Sequence, residues 1–337
     1  MMKKKLVVAL LLLIILKFIS LLAEENHICD YCHKPIIGEY LQVGEKYFHP
    51  NHFICNWCKK PIKSDKFIEL DGKYYHEKCF YKHVVPRCVV CGKPIKGAYL
   101  KNYWGQIYHP YHQNEIKKCE YCSRIIKHPH KDKNGLYICN ICERKKIDNI
   151  NDAKTKIEEI VRILYSKGIK IELNDVEIKL VSLEEIKKVA LNPNLTSDNK
   201  GLAEYKIKKF PDGRTQKTYR IFILKDMPDF TFVEVAAHEL MHIWIYEHGE
   251  QKQEAALVEG SCNYASFLVL NKLKDYNSFR FLNLKNEDID YDITKLEKNA
   301  DPIYGGGFRT VKKYVDKFGI FMWLNYLKHH KNLPRNF

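Results

Sequence analysis

Apolar positions fall into three regimes along the chain. The first is an unbroken run from Leu6 to Leu16, set behind a basic start (MMKKK) and closed by Lys17; Leu21-Leu22-Ala23 then precede Glu24-Glu25. That order predicts a secretory signal over residues 1–23, or an anchor where the leader stays uncleaved. Eleven consecutive apolar residues fall short of the roughly 20 that a membrane-spanning helix needs. From 27 to 143 no helical or strand period is sustained, and cysteines, histidines and Lys-Pro-Ile triplets recur instead. Beyond Cys142 the periodicity returns. Ile157, Ile160, Val161 and Leu164 are spaced for a linker helix over 144–168 that ends at Gly168. Short strands are predicted at 169–173 and 176–181, a helix at 183–190, a polar turn-rich loop over 191–217 and a strand at 219–224.

After a turn at 227–229, a well-signed helix is predicted. Thr231 and Glu234 form a capping box, Phe230 and Val235 a hydrophobic staple, and Gly249 an end signal. Ala237, Leu240, Met241 and Trp244 supply its apolar face.

Twelve cysteines behind an export signal first suggest disulfides. Their spacing argues for metal. Cys29-x-x-Cys32, His49-x-x-His52, Cys55-x-x-Cys58, His76-x-x-Cys79, Cys88-x-x-Cys91, His109-x-x-His112, Cys119-x-x-Cys122 and Cys139-x-x-Cys142 are eight two-ligand knuckles, separated within pairs by 16 or 17 residues. Eleven cysteines and five histidines make sixteen ligands, enough for four tetrahedral zinc ions with none left over. Histidine forms no disulfide, yet five stand where a disulfide framework would need cysteine. Bound zinc protects its thiolates, which makes such sites compatible with export.

The formal charge of +15 includes Lys3, Lys4, Lys5 and Lys17 of the leader. Zinc-bound thiolates offset part of the remainder. The other lysines are scattered and form no stripe with interleaved aromatics, so no nucleic-acid partner is expected.

The helical stretch around HELMH (238–242) carries the candidate chemistry. His238 and His242, four residues apart, share one side of a helix and reach one metal, and Glu239 beside them is placed as a general base. Between Val235 and Ile245, Glu239 is the sole charged residue, as a buried metal helix requires. A third ligand is needed. Glu259, before Gly260 at the start of an apolar helical run, is favoured over Glu254. Tyr304 and Arg309 flank Gly305-Gly306-Gly307 and are candidates to steady a developing oxyanion. Cys262 reads as a buried helix cysteine.

The order of these motifs resembles a known family. Paired knuckles with matching flanks (YFHPNHFICNWCKKPI and IYHPYH), then HELMH-x-W, VEG-x-C and IYGGGFR, look like the plant ubiquitin-activated LIM peptidases of the DA-one family and their bacterial relatives. The resemblance implies an α+β chain: tandem LIM zinc-knuckle modules (27–83 and 86–143), the linker helix, and a gluzincin-like HExxH metallopeptidase domain over 169–337. It implies four structural zinc sets: Cys29/Cys32/His49/His52, Cys55/Cys58/His76/Cys79, Cys88/Cys91/His109/His112 and Cys119/Cys122/Cys139/Cys142. It also implies one catalytic zinc on His238, His242 and Glu259 with Glu239 as base, a bacterial-type member, and LIM modules that recruit a protein partner or substrate or cap the cleft. Six residues separate His112 from Cys119 where the first module has two, so a loop must bulge there. Ubiquitin-interacting segments precede the LIM part in the plant members; the leader holds that place here, and ubiquitin dependence is not carried over. The expected product is an exported zinc endopeptidase, periplasmic or extracellular, at a membrane only where its leader is uncleaved. Its substrate would lie along an edge strand near 219–224. The alternative is a LIM scaffold whose zincin domain is inactive.

Overall fold

The computed structural model describes residues 27–190, 200–275, 285–335 and 337. The expected signal segment, 1–23, lies outside them. No helix among the described residues is long and apolar enough to cross a membrane. The chain is mixed α and β, in two compact units, Met1–Ile116 and Lys117–Phe337. The division falls inside the six-residue spacing between His112 and Cys119.

One local design is repeated four times. In the Cys-x-x-Cys knuckles that begin at Cys29, Cys55, Cys88 and Cys119, the first cysteine carbonyl accepts the N–H of the residue after the second cysteine, at 2.7–2.9 Å: His33, Lys59, Gly92 and Ser123. All four of these residues have positive φ, between 56° and 70°. The first cysteine N–H in turn donates to Lys34, Lys60, Lys93 or Arg124. A short bridge then closes each knuckle, at Ile28–Pro35, Ile54–Pro61, Arg87–Pro94 and Lys118–Ile125. The recurrent Lys-Pro-Ile triplet is thus a turn closure, its proline placed where no N–H is needed. In the first unit, hairpins at Leu41–Val43/Lys46–Phe48 and Phe67–Leu70/Lys73–His76 carry the chain to its second ligand pairs. Phe48, Phe53 and Tyr74 form the small core between them.

In the second unit, the Cys119–Cys142 knuckle pair leads into helix α1 (Ile150–Tyr165), capped by the Asn149 side chain. Strand β1 (Val176–Val181) and helix α2 (Leu183–Val189) follow; Ser182 and Glu185 cap α2 reciprocally. Strands β2 (Gly201–Lys209) and β3 (Thr215–Leu224) form a hairpin. Helices α3 (Asp229–His248), α4 (Ala255–Asp275), α5 (Asn286–Lys298), α6 (Gly307–Phe318) and α7 (Ile320–His329) complete the unit. The sheet order is β1–β3–β2, with β3 parallel to β1 and antiparallel to β2.

Several expectations need correction. The linker helix starts at Ile150, because Lys146–Ile147 pair with Met227–Pro228 as a two-residue ladder. Residues 169–173 make no strand. Residues 201–209, read as loop, are a strand that leaves the core after Ala203; with both faces in solvent, its sequence lacks apolar alternation. Helix α3 begins at Asp229, so Thr231 is internal and buried, and Glu234 pairs with Lys295 at 2.7 Å instead of capping. Nearly every residue from Asp229 to Ile245 is buried. Such a helix is a core element rather than an amphipathic surface one.

Candidate metal and active site

The four cysteine-histidine sets come together in space as grouped above. Within each, four ligand atoms lie within 4.8 Å of one another. Cys32 Sγ–His49 Nδ1 is 3.6 Å, Cys58 Sγ–His76 Nδ1 3.4 Å, Cys91 Sγ–His109 Nδ1 3.5 Å and Cys122 Sγ–Cys139 Sγ 3.7 Å. His112 Nε2 is buried without a partner, while its Nδ1 faces Glu115 at 3.4 Å. A nitrogen orphaned in this way is accounted for by a metal bond. Backbone N–H groups act against burial to bring Cys29 and Cys55 down to about 6 and Cys88 to about 7. Thiolate, the form that binds zinc, is thereby favoured. These sets fit zinc.

A fifth convergence lies under β2. His238 and His242 project from α3 and Glu259 from α4. His238 Nε2 is 3.1 Å from Glu259 Oε2 and 3.2 Å from His242 Nε2; His242 Nε2 is 3.7 Å from the same oxygen. Three ligands bound tetrahedrally at about 2.0–2.1 Å stand roughly 3.3 Å apart, close to these separations. Asn263 Oδ1 accepts a hydrogen bond from His238 Nδ1 at 2.9 Å, which turns the ring so that Nε2 faces the Glu259 carboxylate. His242 Nδ1 is buried with no partner. Two imidazoles and a carboxylate this close suit a divalent cation.

Two rivals for third ligand differ in their surroundings. Glu254 accepts from Leu333 N–H at 2.8 Å and is engaged with the C-terminal tail. Cys262 lies within 4.8 Å of both histidine ligand atoms. It is fully buried, and burial pushes its thiol well above the ordinary value.

Close helix crossing places Glu259. A side chain on Gly260 would overlap the Gly307 backbone, one on Gly307 would strike the Ala256 carbonyl, and one on Gly305 the Asn299 carbonyl. Gly260 and Gly307 therefore let the start of α6 lie against α4, and Gly305 lets the turn before it close on Asn299.

Glu239 is buried and lines a cavity of about 510 Å³ together with Gly201–Ala203, His238, His242, Tyr246, Glu259, Asn263 and Tyr304. Burial, with the Glu259 carboxylate, pushes its pKa up to about 7 against the pull of His238. Desolvation takes His242 down to about 4. Gly201 leaves open the space over the Glu239 carboxylate that a side chain would fill. Tyr304 lines the cavity, and burial pushes its phenol up to about 12, so it is a hydroxyl donor at neutral pH. Arg309 does not line it; its guanidinium donates to the carbonyls of Asn299 and Glu297 and fastens the chain before the glycine turn.

Asn263 went unread in the sequence. It joins His238 to the Tyr304 carbonyl, to which its Nδ2 donates at 3.1 Å. Its only sequence signal is a position one helical turn after Glu259. Asn263→Ala is expected to weaken metal binding at this site by about 10- to 100-fold. Competition against a graded zinc chelator measures this; unchanged affinity would deny Asn263 an orienting role.

Comparison with known proteins adds the following. The LIM domain family model matches residues 29–84. The chain contains a LIM domain. Over most of its length it is similar to plant proteins: 25% identical to the LIM domain-containing protein HDR3 of Oryza sativa subsp. japonica, across 91% of this chain and 74% of that protein. It is 24% identical to Protein DA1-related 2 of Arabidopsis thaliana, across 92% and 70%. A third of the chain (34%, against 20% of the relative) is 36% identical to LIM domain-containing protein B of Dictyostelium discoideum. These relatives are eukaryotic and lend no support to the expected bacterial affinity.

Proposed function

We propose that the chain is a zinc-dependent endopeptidase of gluzincin-like fold, with His238, His242 and Glu259 as the ligands of a fifth, catalytic zinc. The observation that carries this reading is the convergence of those three side chains beside Glu239 in a cavity bordered by an open strand edge. Bound there, zinc would supply Lewis acidity toward a scissile carbonyl and an attacking water. Glu239 takes the proton of that water and delivers it to the leaving amine. Its raised pKa suits both halves of the task. The Tyr304 hydroxyl donates to the developing oxyanion. Asn263 holds the His238 ring, and Tyr246, whose hydroxyl donates to the Ala203 carbonyl at 3.2 Å, tethers β2 over the helix.

Strand β3 has neighbours on both sides, so the extended substrate adds to β2 and not along 219–224 as first expected. The LIM part recruits a protein partner or substrate. The leader directs the chain out of the cell.

Metal analysis of the intact chain tests the reading. Five zinc ions are expected, four held by thiolate-containing sets and one released by a mild chelator together with peptidase activity, which returns on adding zinc. A count of four with no labile ion would favour the LIM scaffold instead.

A further inference from the structure

Strand β2 does not end where the cleft ends. Gly201 to Ala203 line the cavity, and the strand runs on for six residues, Glu204–Lys209, or about 20 Å at roughly 3.4 Å per residue. Its polar backbone is arranged for a partner. At the two ends of the ladder Lys200 carbonyl accepts from Leu224 N–H at 2.8 Å, and Phe210 N–H donates to Arg214 carbonyl at 2.9 Å. Even-numbered residues therefore face β3, and the two-residue repeat turns Gly201, Ala203, Tyr205, Ile207 and Lys209 outward. The Ala203 carbonyl is taken by Tyr246. The outward groups of Tyr205, Ile207 and Lys209 meet no further strand among the described residues.

Side chains flanking this edge share one sign. Lys206 and Lys208 stand on one face, and Lys209 and Lys217 on the other, with Lys217 opposite Ile207. The two acids of the hairpin itself, Glu204 and Asp212, are already engaged. Glu204 pairs with Arg220 at 3.3 Å and with Lys206 at 3.6 Å, and Asp212 pairs with Arg214 at 2.7 Å. Lys208, Lys209 and Lys217 form no ion pair among the described residues. Tyr205 and Ile207 are 46% and 49% exposed between the lysines.

We propose that the outer half of β2 is a docking rail for an extended acidic segment of the substrate, added as a fourth strand in continuity with the cleft. The inference rests on the peptidase reading of that cleft. Opposed strand backbones supply the pairing, alternate Glu or Asp side chains fall on the face of Lys206 and Lys208, and the apolar residues between them cover Tyr205 and Ile207 on the other face. A nucleic acid would satisfy the charge but not the row of outward N–H and carbonyl groups.

The test is binding to the full-length Glu239→Gln variant, which reads the rail whether or not the cleft cuts peptides. Fluorescently labelled peptides alternating Glu, Gln or Lys with Val are titrated and followed by anisotropy, with a single-stranded DNA of similar length as a further probe. The Glu peptide is expected to bind about tenfold or more tighter than the Gln peptide and to weaken with salt. Lys206→Gln/Lys208→Gln should abolish that preference with the thermal midpoint unchanged. Equal binding of the Glu and Gln peptides, or stronger binding of the DNA, overturns the proposal. So does self-association of the Gln-substituted chain without loss of peptide preference, since lysines that merely keep strand edges apart would behave in that way.

Discussion

Glu239→Gln is expected to lower peptide cleavage by about a thousandfold or more while the chain keeps all its zinc. The side chain is nearly isosteric and is not one of the three converging ligands, so the metal site is retained. What disappears is the proton acceptor, and general-base assistance contributes about 10²–10⁴ in rate. Glutamine also carries no charge into a site where burial already disfavours the carboxylate. The variant should therefore be no less stable than the wild type, and a large fall in activity could not be put down to unfolding. Mass spectrometry of a proteome-derived peptide library incubated with each form reads the outcome. Cleavage by the variant at near wild-type rate would remove Glu239 from the mechanism.

Cys139→Ser should disable the second unit as a whole, whereas Cys29→Ser should affect the first. The Cys119/Cys122/Cys139/Cys142 set belongs to Lys117–Phe337, and all four of its cysteines are buried. Its surroundings are joined to the candidate catalytic core by named bonds. Arg124 and Lys145 both reach the buried Asp288 of α5 at 3.0 Å. Asn134 spans the Lys225 carbonyl and the Leu183 N–H, at 3.0 and 3.3 Å. The Lys145 carbonyl accepts the Asp229 N–H at 3.0 Å, at the first residue of the helix that carries His238, Glu239 and His242. Structural zinc in small knuckles contributes about 10–16 kcal/mol of apparent binding free energy, and a domain's net stability is only about 5–15 kcal/mol. Losing one ligand should thus lower the melting transition of the second unit by many degrees and remove activity with it. Hydrogen exchange on the full chain resolves the two units. Protection kept in α3 and α4 of the Cys139→Ser chain would contradict a bracing role for the fourth set.

Ligand residues were the most legible part of this chain, because zinc demands particular atoms at short, repeated spacings. Knuckle spacing gave all sixteen cysteine and histidine positions that come together in space. HELMH and Glu259 were also read from the sequence, and their side chains converge in space. Features that depend on residues distant in sequence were harder to see. Strand β2 carries its polar pattern because its outer half has no core to face. The capping box at Thr231 and Glu234 was a sound local signal overruled by tertiary structure, since Lys295 claims Glu234 and the ladder to Lys146–Ile147 fixes the helix start earlier. Arg309 looked catalytic by its place beside three glycines, and the structure turns it onto backbone carbonyls. The irregular spacing between His112 and Cys119 was read as a loop bulge within one module over 86–143, and nothing in that spacing says that the last knuckle pair folds with the helices behind it.

The central claim concerns a single zinc on His238, His242 and Glu259, and titration of activity tests it most directly. The chain is stripped of its labile ion under conditions that keep the thiolate sets loaded, and zinc is returned stepwise while fragment release from the peptide library is followed. Activity should rise in proportion to added zinc, reach its plateau at about one equivalent per chain, and never appear in His242→Ala. Cleavage that survives stripping, or that stays absent once the equivalent is bound, contradicts the assignment.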